Sequence, residues 1–377
     1  MTTFTLETLD VAVYRAPIER TVQTAFGSMS DRPAVIVRAV DQDGREGFGE
    51  VWCNFPACGA EHRARLVISV LAPLVMGRSW PAPEALFQEL TGATHKLALQ
   101  AGEPGPLAQA IAGVDIAVWD LMAKRAGQPL WRLLGDGGNG TLPAYASGIN
   151  PKGAKDQALR AQRQGFRAFK LKVGFGRDRD LANLAELRAA LGDGADLMVD
   201  ANQAWDLKEA KAMSVLMAPY RPLWLEEPLP ADTSIALWQK LAEASPIPLA
   251  VGENLQGEDV FKAAITSGAF AVIQPDLAKW GGLSAGVPLA RSILAGGLRY
   301  CPHFLGGGIG LLASAHLLAA VGGDGVLEID SNPNPLREGL APPFPTLQDG
   351  NLALSKQSGL GGKPDPSLGK FLIFSTQ

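Results

Sequence analysis

The sequence predicts an α/β protein whose main part is a (β/α)8 barrel of the TIM type, preceded by an α+β capping domain. Short apolar runs that end in a polar residue recur at nearly constant intervals, and helical patterns lie between them. Each interval has room for one strand, one helix and two loops. A chain of 377 residues is also longer than a bare barrel requires, which indicates one additional domain.

The polar ends of these runs define seven of the eight predicted barrel strands. In chain order they are Lys172, Asp200, Glu226, Glu253, Asp276, His303 and Glu328. Their spacings are 28, 26, 27, 23, 27 and 25 residues, and a strand over residues 142–146 completes the set. An open doubly wound sheet is the alternative, but it would place a ligand near one or two strands. Polar residues at seven strand ends favour a barrel, whose sites form at that face.

The start of the chain alternates between apolar and polar residues, which predicts an antiparallel meander. The alternating stretches cover residues 9–14, 34–40 and 47–50. Residues 17–32 lack any period and are predicted to form a mobile loop, and residues 52–62 are predicted to be irregular. Predicted helices cover residues 61–75, 84–90, 107–126, 180–190, 207–217, 235–244 and 310–320.

Three segments are therefore expected. Residues 1–140 form the capping domain, residues 141–330 form the barrel, and residues 331–377 return to pack on the capping domain. The glycine-rich run at residues 135–140 marks the first boundary.

The overall composition argues against several classes of partner. A net charge of −4 without a basic tract gives no support for binding to nucleic acid or to a membrane surface. No apolar run looks long enough to span a bilayer, and the first ten residues do not resemble a signal peptide. Cys53, Cys58 and Cys301 lack zinc-type spacing, so reduced thiols in the cytoplasm are expected.

Three acidic residues, Asp200, Glu226 and Glu253, are predicted at adjacent strand ends. An oxygen-only set of ligands suits a hard octahedral cation, and Mg²⁺ is the expected occupant. The alternative is three separate salt bridges to lysines. A cation there would favour removal of a proton next to a substrate carboxylate, because the barrier to that step is mainly electrostatic.

Two lysines, Lys170 and Lys172, share one face of the second predicted strand. A solvated sheet face is one interpretation of this pair. The other places Lys172 at the barrel mouth, where it and His303 would approach a substrate carbon from opposite faces. Asp276 would bond the far imidazole nitrogen of His303. Asn202 is expected near the metal and substrate, with a turn-capping role as the alternative.

Several short motifs occur in a fixed order along the chain. They are Lys170-x-Lys172, Asp200-x-Asn202, Glu226-Glu227-Pro228, Gly252-Glu253-Asn254, Asp276-x-x-Lys279-x-Gly281-Gly282 and His303. With the helix at residues 112–121, this order resembles the enolase superfamily, and within it the mandelate racemase subgroup of the mandelate racemase/muconate lactonizing enzyme family.

The resemblance implies a Mg²⁺-stabilised enediolate with two acid/base groups, Lys172 and the His303–Asp276 pair. It implies that Lys170 contacts the substrate carboxylate and also makes Lys172 less basic. Glu328, if protonated, would donate a hydrogen bond to the enediolate oxygen. In muconate-lactonizing and dipeptide-epimerase relatives a catalytic lysine stands at the position of Asp276, so the two-lysine mechanism is excluded here.

The enediolate has two possible fates. Loss of a β-hydroxyl gives a dehydratase of an acid sugar or related hydroxy acid, which we favour by analogy with family members that resemble this arrangement. Reprotonation gives a racemase or epimerase of a 2-hydroxy acid or related carboxylate. A non-catalytic ligand-binding barrel is the alternative outside the enzymes, but it would not need Lys172, His303 and Asp276 together. The expected partners are a small-molecule carboxylate and further copies of the chain in a homo-oligomer.

Substrate choice is predicted to depend on residues 17–32 and 52–62. Arg20 and Arg32 would favour a distal anionic or hydroxylated group, whereas Phe26, Trp52 and Phe55 would favour a smaller or less polar one. The sequence leaves this choice open. Outside the site, His62 and His95 are expected in surface or loop positions, and His316 is expected to be a packing residue. The glycine-rich run at residues 306–310 suggests either a phosphate-binding loop or a close backbone approach beside His303.

Overall fold

The computed structural model describes residues 3–23 and 27–376 and contains two main sheets. The N-terminal elements are β1 (Phe4–Gln23), β2 (Ser28–Asp41), β3 (Glu46–Val51), α1 (Gly59–Leu66), α2 (Ala72–Val75), β4 (Ser79–Trp80), α3 (Pro83–Ala101), α4 (Pro104–Arg125) and α5 (Leu130–Leu134). A π-helical turn over Val67–Leu71 joins α1 to α2. Strands β1, β2 and β3 form the predicted antiparallel meander, and their inward-facing valines pack on α4.

The predicted loop at residues 17–32 is wrong for most of its length. Strands β1 and β2 continue as a long hairpin in which Pro17 pairs with Asp31 and Val22 pairs with Met29. The register shifts between Pro17 and Val22, which breaks the alternation that would have revealed the strands. Phe26 and the side chain of Arg20 lie outside the described part of the structure.

The second sheet forms the barrel. Its elements are β5 (Thr141–Ile149), α6 (Ala154–Arg163), β6 (Ala168–Lys172), α7 (Arg177–Leu191), β7 (Asp196–Asp200), α8 (Leu207–Met217), β8 (Leu225–Glu226), α9 (Ile235–Ala242), β9 (Leu249–Val251), α10 (Glu258–Thr266), β10 (Val272–Ile273), α11 (Gly282–Ala295), β11 (Arg299–Tyr300), α12 (Gly308–Val321) and β12 (Leu327–Asp330). Strands β5 to β11 pair in parallel in chain order, and β12 pairs with β5. The fold is therefore the predicted (β/α)8 barrel with an α+β capping domain.

The interior of the barrel has an apolar layer beneath a polar one. Tyr145, Ala168, Met198, Trp224, Ala250, Val272 and Cys301 form a small buried cluster, distinct from the larger core that involves the barrel helices. Because alternate residues of a strand share a face, Lys170 follows Ala168, Asp200 follows Met198, and Glu226 follows Trp224 on the inner side. Strand alternation thus brings charged side chains together at the carboxyl end of the barrel.

The C-terminal segment contributes to both sheets. Its elements are α13 (Pro335–Gly339), β13 (Leu347–Gln348), β14 (Asn351–Ala353), a 3₁₀ helix over Pro366–Phe371 and β15 (Leu372–Ser375). Strand β15 pairs with β1 of the capping domain, whereas β14 pairs with β5 of the barrel. Part of this segment therefore extends the barrel sheet, which the sequence did not indicate. The boundaries near residues 140 and 330 stay predictions.

Helix α4 corrects one inference from composition. By length and apolar content it is sufficient to cross a membrane, although no such run was recognised in the sequence. However, 89% of its most apolar stretch is buried inside the protein. This burial is typical of a core helix, and α4 packs against the strands of the capping domain.

Acidic residues of the capping domain hold the first turns of two barrel helices. Asp115 accepts hydrogen bonds from the backbone N–H groups of Leu283 (2.6 Å) and Ser284 (3.0 Å) in α11. Glu50 accepts the N–H groups of Gly307 and Gly310 at the start of α12. Burial raises the pKa of Asp115 and that of Glu50 to about 7, against the opposing effect of these hydrogen bonds.

The glycine-rich run before α12 makes close backbone contacts. A Cβ atom at Gly308 would lie 2.0 Å from the carbonyl oxygen of Arg337, and one at Gly310 would lie 2.3 Å from the ring of Phe304. The prediction of a close approach is confirmed. A phosphate-binding loop does not fit, because the carboxylate of Glu50 already accepts the amides that would bind the phosphate.

Candidate active site

The charged residues predicted for the site, together with Asn202, form one network of contacts at the carboxyl ends of the barrel strands. Its members are Lys170, Lys172, Asp200, Asn202, Glu226, Glu253, Asp276, His303 and Glu328. All of them are buried except Lys172, which is half-buried. The network has three parts, each centred on one cation.

His303 lies between two carboxylates. Its Nδ1 is 2.8 Å from Asp276 Oδ2, and its Nε2 is 2.6 Å from Glu253 Oε2. Asp276 is fixed in turn, because its Oδ1 accepts the backbone N–H groups of Ala278 (2.9 Å) and Lys279 (3.2 Å). Burial alone would lower the pKa of His303, but the neighbouring carboxylates, chiefly Glu253, raise it to about 10. The expected contact between Asp276 and the far imidazole nitrogen is present.

Lys172 contacts two polar residues at the carboxyl end of β7. Its Nζ lies 2.5 Å from Asp200 Oδ2 and 2.7 Å from Asn202 Oδ1. Burial and the nearby charge of Lys170 act to lower the pKa of Lys172, but the carboxylates of Asp200, Glu253 and Glu226 together outweigh them and the net shift is upward. Lys170 therefore acts on Lys172 in the expected direction, but the carboxylates reverse the net effect in this arrangement.

Asn202 belongs both to the network and to a turn, while its predicted place near the metal and substrate stays a prediction. Besides contacting Lys172, it donates its backbone N–H to Asp200 Oδ1 at 2.8 Å, which closes a turn. The backbone of Asn202 is left-handed, with φ of 43°, a conformation that asparagine tolerates better than most residues.

Lys170 lies deeper than Lys172 and is 1% exposed. Its Nζ is 2.7 Å from Glu226 Oε2 and 2.9 Å from Glu328 Oε1, and it also lies over the ring of Tyr145. Burial acts to raise the pKa of Glu328, but the positive charges of Lys170 and His303 lower it by more, so the net shift is downward. Glu328 is thus held ionised, which does not favour the predicted role of a protonated hydrogen-bond donor.

Each of the three predicted metal ligands contacts a cationic side chain. Asp200 pairs with Lys172, Glu226 with Lys170, and Glu253 with His303. Among the described residues, no group of three or more His, Cys, Asp or Glu side chains is arranged to hold a metal ion. This arrangement corresponds to the alternative of separate ion pairs, with a histidine in place of one lysine.

The chemistry of the donor set nevertheless fits Mg²⁺. Burial, reinforced by the charges of Asp200, Glu328 and Glu253, raises the pKa of Glu226 to about 7 against the opposing charge of Lys170. Carboxylates that disfavour one another's ionisation are the groups that a divalent cation would stabilise. Their donor atoms are all oxygens, as Mg²⁺ prefers. The ligand assignment stays a prediction.

Sequence reasoning gave no role to three polar residues beside these carboxylates, of which Glu227 and Gln274 are buried and Asn254 is half-buried. Glu227 is fully buried with φ of 38°, and burial together with Glu253 and Asp200 raises its pKa to about 8. Asn254 donates to Glu227 Oε2 at 2.7 Å, and Gln274 donates to Glu226 Oε2 at 2.9 Å. A polar residue directly after the apolar strand residues Val272 and Ile273 was the available signal for Gln274.

The two segments predicted to control specificity lie against the barrel or against each other. Arg32 forms a buried ion pair with Asp330 at 2.6 Å and is 2% exposed, so the alternative in which Arg32 contacts the substrate has no support from its position. Trp52 lies with its ring 4.8 Å from the ammonium group of Lys279, next to the site. A Cβ atom at Gly27 would lie 3.0 Å from the ring of Phe55, which places the two segments in contact.

The remaining histidines lie apart from the network. His62 is on α1 and pairs with Glu103 at 3.1 Å. His95 is exposed on α3, where it lines a cavity of about 420 Å³ that holds none of the predicted site residues. His316 accepts the N–H of Trp131 at 3.0 Å, and burial lowers its pKa to about 4. The prediction of a packing role for His316 is confirmed.

Comparison with known proteins assigns the chain to a family. Residues 6–135 match the mandelate racemase/muconate lactonizing enzyme N-terminal domain, and residues 153–368 match the enolase C-terminal domain-like family. The chain therefore belongs to the enolase superfamily, in its mandelate racemase/muconate lactonizing enzyme family, and it is an enzyme.

Individual relatives narrow the class of chemistry. D-galactarolactone cycloisomerase from Agrobacterium fabrum is 31% identical over 340 residues, which cover 85% of this chain and 87% of the relative. A crystal structure of a mandelate racemase/muconate lactonizing enzyme from Bordetella bronchiseptica superposes with a TM-score of 0.91, at 52% identity over 97% of this chain and 98% of that one. A variant of L-talarate/galactarate dehydratase, liganded with magnesium and L-glucarate, gives a TM-score of 0.88 at 26% identity, covering 100% of this chain and 93% of that one.

Proposed function

We propose that this enzyme removes the proton α to the carboxylate of an acid sugar, with Mg²⁺ as cofactor, and then eliminates water from the β position. The observation that carries the proposal is the order of contacts across the site. Lys172 contacts Asp200 and His303 contacts Glu253, while Glu226 lies on the strand between those two carboxylates. Two proton-transfer groups therefore flank one set of predicted metal ligands.

Each of these groups has a defined part in the reaction. Mg²⁺ held by Asp200, Glu226 and Glu253 would neutralise the charge that develops on the substrate carboxylate. Lys172 and His303 supply a base for the α-proton and an acid for the departing hydroxyl group. Asp276 holds Nδ1 of His303, so Nε2 is the nitrogen that exchanges protons with the substrate.

A second candidate follows from the relative named as a cycloisomerase. If the β-oxygen of the substrate belongs to a ring, the same elimination opens the ring and releases no water. Racemisation or epimerisation of a 2-hydroxy acid is the third outcome, because Lys172 and His303 could also deliver a proton to either face of the enediolate.

Location and partners are also part of the proposal. We propose a cytoplasmic location, in line with three cysteines that form no disulfide among the described residues. A small-molecule carboxylate is the proposed partner, without nucleic acid or membrane, and the active form is proposed to be a homo-oligomer.

A screen of carboxylic acids with Mg²⁺ tests the proposal. The library contains aldonic and aldaric acids, their lactones and anhydro forms, and simple 2-hydroxy acids. Keto-acid formation with loss of water supports dehydration, and an isomeric keto-acid product supports ring opening. Loss of optical rotation without a keto acid supports racemisation or epimerisation. Activity on no acid sugar, with Mg²⁺ bound, would overturn the proposed substrate class.

A further inference from the structure

The three predicted metal ligands share a pattern in how their two oxygens are used. In each carboxylate, one oxygen accepts a hydrogen bond from an uncharged N–H group. The other oxygen contacts a cationic side chain. The uncharged donors belong to residues next to the ligands in the barrel, and two of them, Asn254 and Gln274, have no part in the proton transfers proposed above.

Asp200 and Glu226 show the pattern on β7 and β8. Asp200 Oδ1 accepts the backbone N–H of Asn202 at 2.8 Å, while Oδ2 contacts Lys172 and, at a longer 3.4 Å, the side-chain amide of Asn202. Glu226 Oε2 accepts Gln274 Nε2 at 2.9 Å, and Glu226 Oε1 has Lys170 Nζ at 2.8 Å. Lys170 also reaches Oε2 of Glu226, so the two oxygens differ in their uncharged donors: Gln274 at 2.9 Å and, at a longer 3.3 Å, Trp224 Nε1 both bind Oε2.

Glu253 shows the pattern after β9. Its Oε1 accepts Asn254 Nδ2 at 2.9 Å, and its Oε2 lies 2.6 Å from His303. The same Asn254 nitrogen donates to Glu227 Oε2 at 2.7 Å, so both of its hydrogens have acceptors. Asn254 Oδ1 lies 3.3 Å from the ammonium group of Lys279.

The orientation of the Asn254 amide follows from these neighbours. The ammonium group of Lys279 only donates hydrogen bonds, so the amide oxygen of Asn254 must face Lys279 and the amide nitrogen must face Glu253 and Glu227. Trp52 covers the ammonium group with its ring at 4.8 Å. Asn254 therefore cannot rotate to release Glu253 without leaving several buried groups unpaired.

A carboxylate with one oxygen already engaged is suited to offer a single oxygen to a cation. Mg²⁺ is small and strictly octahedral, and it binds one oxygen from each of a few carboxylates. Ca²⁺ takes about six to eight oxygens and often uses both oxygens of one carboxylate. Donors that restrain the second oxygen should therefore disfavour Ca²⁺ more than Mg²⁺.

We propose that Asn254 and Gln274 are positioning residues that make Glu253 and Glu226 one-oxygen ligands and thereby select Mg²⁺ over Ca²⁺. The proposal rests on the metal site of the proposed function. The two residues act through the ligands and do not touch the substrate.

Titration calorimetry of Mg²⁺ and of Ca²⁺ into the purified full-length protein tests the proposal without any substrate. The variants are Asn254→Leu and Gln274→Met, which keep the approximate size of each side chain and remove the donor. We expect the ratio of the Ca²⁺ dissociation constant to the Mg²⁺ dissociation constant to fall about tenfold or more in each variant. A general loss of stability would weaken both affinities together and leave the ratio unchanged.

Asn332→Leu is the matched control. Asn332 is a buried asparagine that also donates to a carboxylate, Asp330 Oδ1 at 2.8 Å, but that carboxylate pairs with Arg32. This variant should keep the wild-type ratio. The inference is overturned if either variant binds both ions with the wild-type ratio. If the wild-type protein binds neither ion, the proposed metal site fails and the inference fails with it. An unchanged ratio in a protein that binds both ions overturns the inference alone, so the two failures are distinguishable.

Discussion

His303 and Glu253 are bonded to each other, with Nε2 of the histidine 2.6 Å from Oε2 of the glutamate. One of these residues is a predicted proton-transfer group and the other is a predicted metal ligand. The contact must be exchanged for contacts with the metal and the substrate before His303 can act. On the other side of the site, Lys172, the second predicted proton-transfer group, forms an ion pair with Asp200, another predicted metal ligand. The two proton-transfer groups are therefore held at opposite ends of the carboxylate set.

Separate exchange on the two faces of the substrate is the first prediction. With an active substrate in deuterated water, Lys172→Ala should abolish exchange of the α-proton on one face, and His303→Asn should abolish it on the other. Nuclear magnetic resonance of each epimer or enantiomer measures the two rates. Equal loss of both exchanges in both variants would contradict the proposal of opposed groups.

Replacing Asp276 by asparagine should reverse the tautomer of His303. Because Asp276 Oδ1 accepts two backbone N–H groups, the amide oxygen of Asp276→Asn should stay there and its nitrogen should face the imidazole. Nδ1 would then accept a hydrogen bond, and the proton of neutral His303 would move to Nε2. We expect kcat to fall about 100-fold or more, with folding unchanged.

The control for this change is Asp180→Asn. Asp180 accepts the backbone N–H groups of Gly174 (2.8 Å) and Phe175 (3.3 Å), which is a similar loop-holding arrangement without an imidazole. It should lose far less activity than Asp276→Asn. Comparable losses of activity in the two variants would mean that Asp276 only stabilises the conformation of its loop and does not set the tautomer of His303.

Glu50 should make stability depend on pH. Its pKa is raised from 4.5 to about 7 by burial, so the folded protein binds more protons than the unfolded chain between these values. The stabilising contribution is fully present below pH 4.5 and is lost as pH rises to about 7. Glutamine does not titrate, so the Glu50→Gln variant should not lose this stability. The difference in unfolding free energy, variant minus wild type, should therefore rise by about 3 kcal/mol between pH 4.5 and about 7.

Denaturant unfolding at several pH values measures this difference. Glu209→Gln is the comparison, since Glu209 is an exposed acid in the first turn of another helix, α8. A constant difference between Glu50→Gln and wild type from pH 4.5 to 7.5 would argue against a raised pKa for Glu50.

Arg32 should contribute to stability more than to substrate choice. Arg32→Met leaves Asp330 buried without its partner, and we expect a loss of about 3–5 kcal/mol in unfolding free energy. The exposed pair of Arg221 and Asp193 provides a control, because Arg221→Met should cost about 1 kcal/mol or less. A change of preferred substrate in Arg32→Met, with stability unchanged, would support the original prediction of a substrate contact.

The regular parts of the molecule were predictable because they repeat. A strand of fixed length followed by a helix brings a polar residue to the same edge at each turn of the barrel, so the intervals between Lys172 and Glu328 predicted the barrel and the members of its site. The contact between His303 and Asp276 also followed from strand order.

Other features depend on partners that are distant in the sequence. Arg32 and Asp330 are separated by 298 residues, and nothing in either segment indicates that they pair. The hairpin at residues 17–32 was missed because a register shift breaks its alternation. The pairing of Lys170 with Glu328 and the lowered pKa of Glu328 required the positions of both charges, which the sequence motif does not contain.

The acidic residues that bind the first turns of α11 and α12 have a consequence for engineering. Asp115 and Glu50 come from the capping domain, and their carboxylates accept hydrogen bonds from backbone N–H groups of the barrel helices. A barrel expressed alone would therefore lose these helix caps and expose the N–H groups. The two parts should therefore melt in one cooperative transition. A chimera that joins this barrel to the capping domain of another enzyme should fold only if the donor domain supplies both carboxylates at the same places.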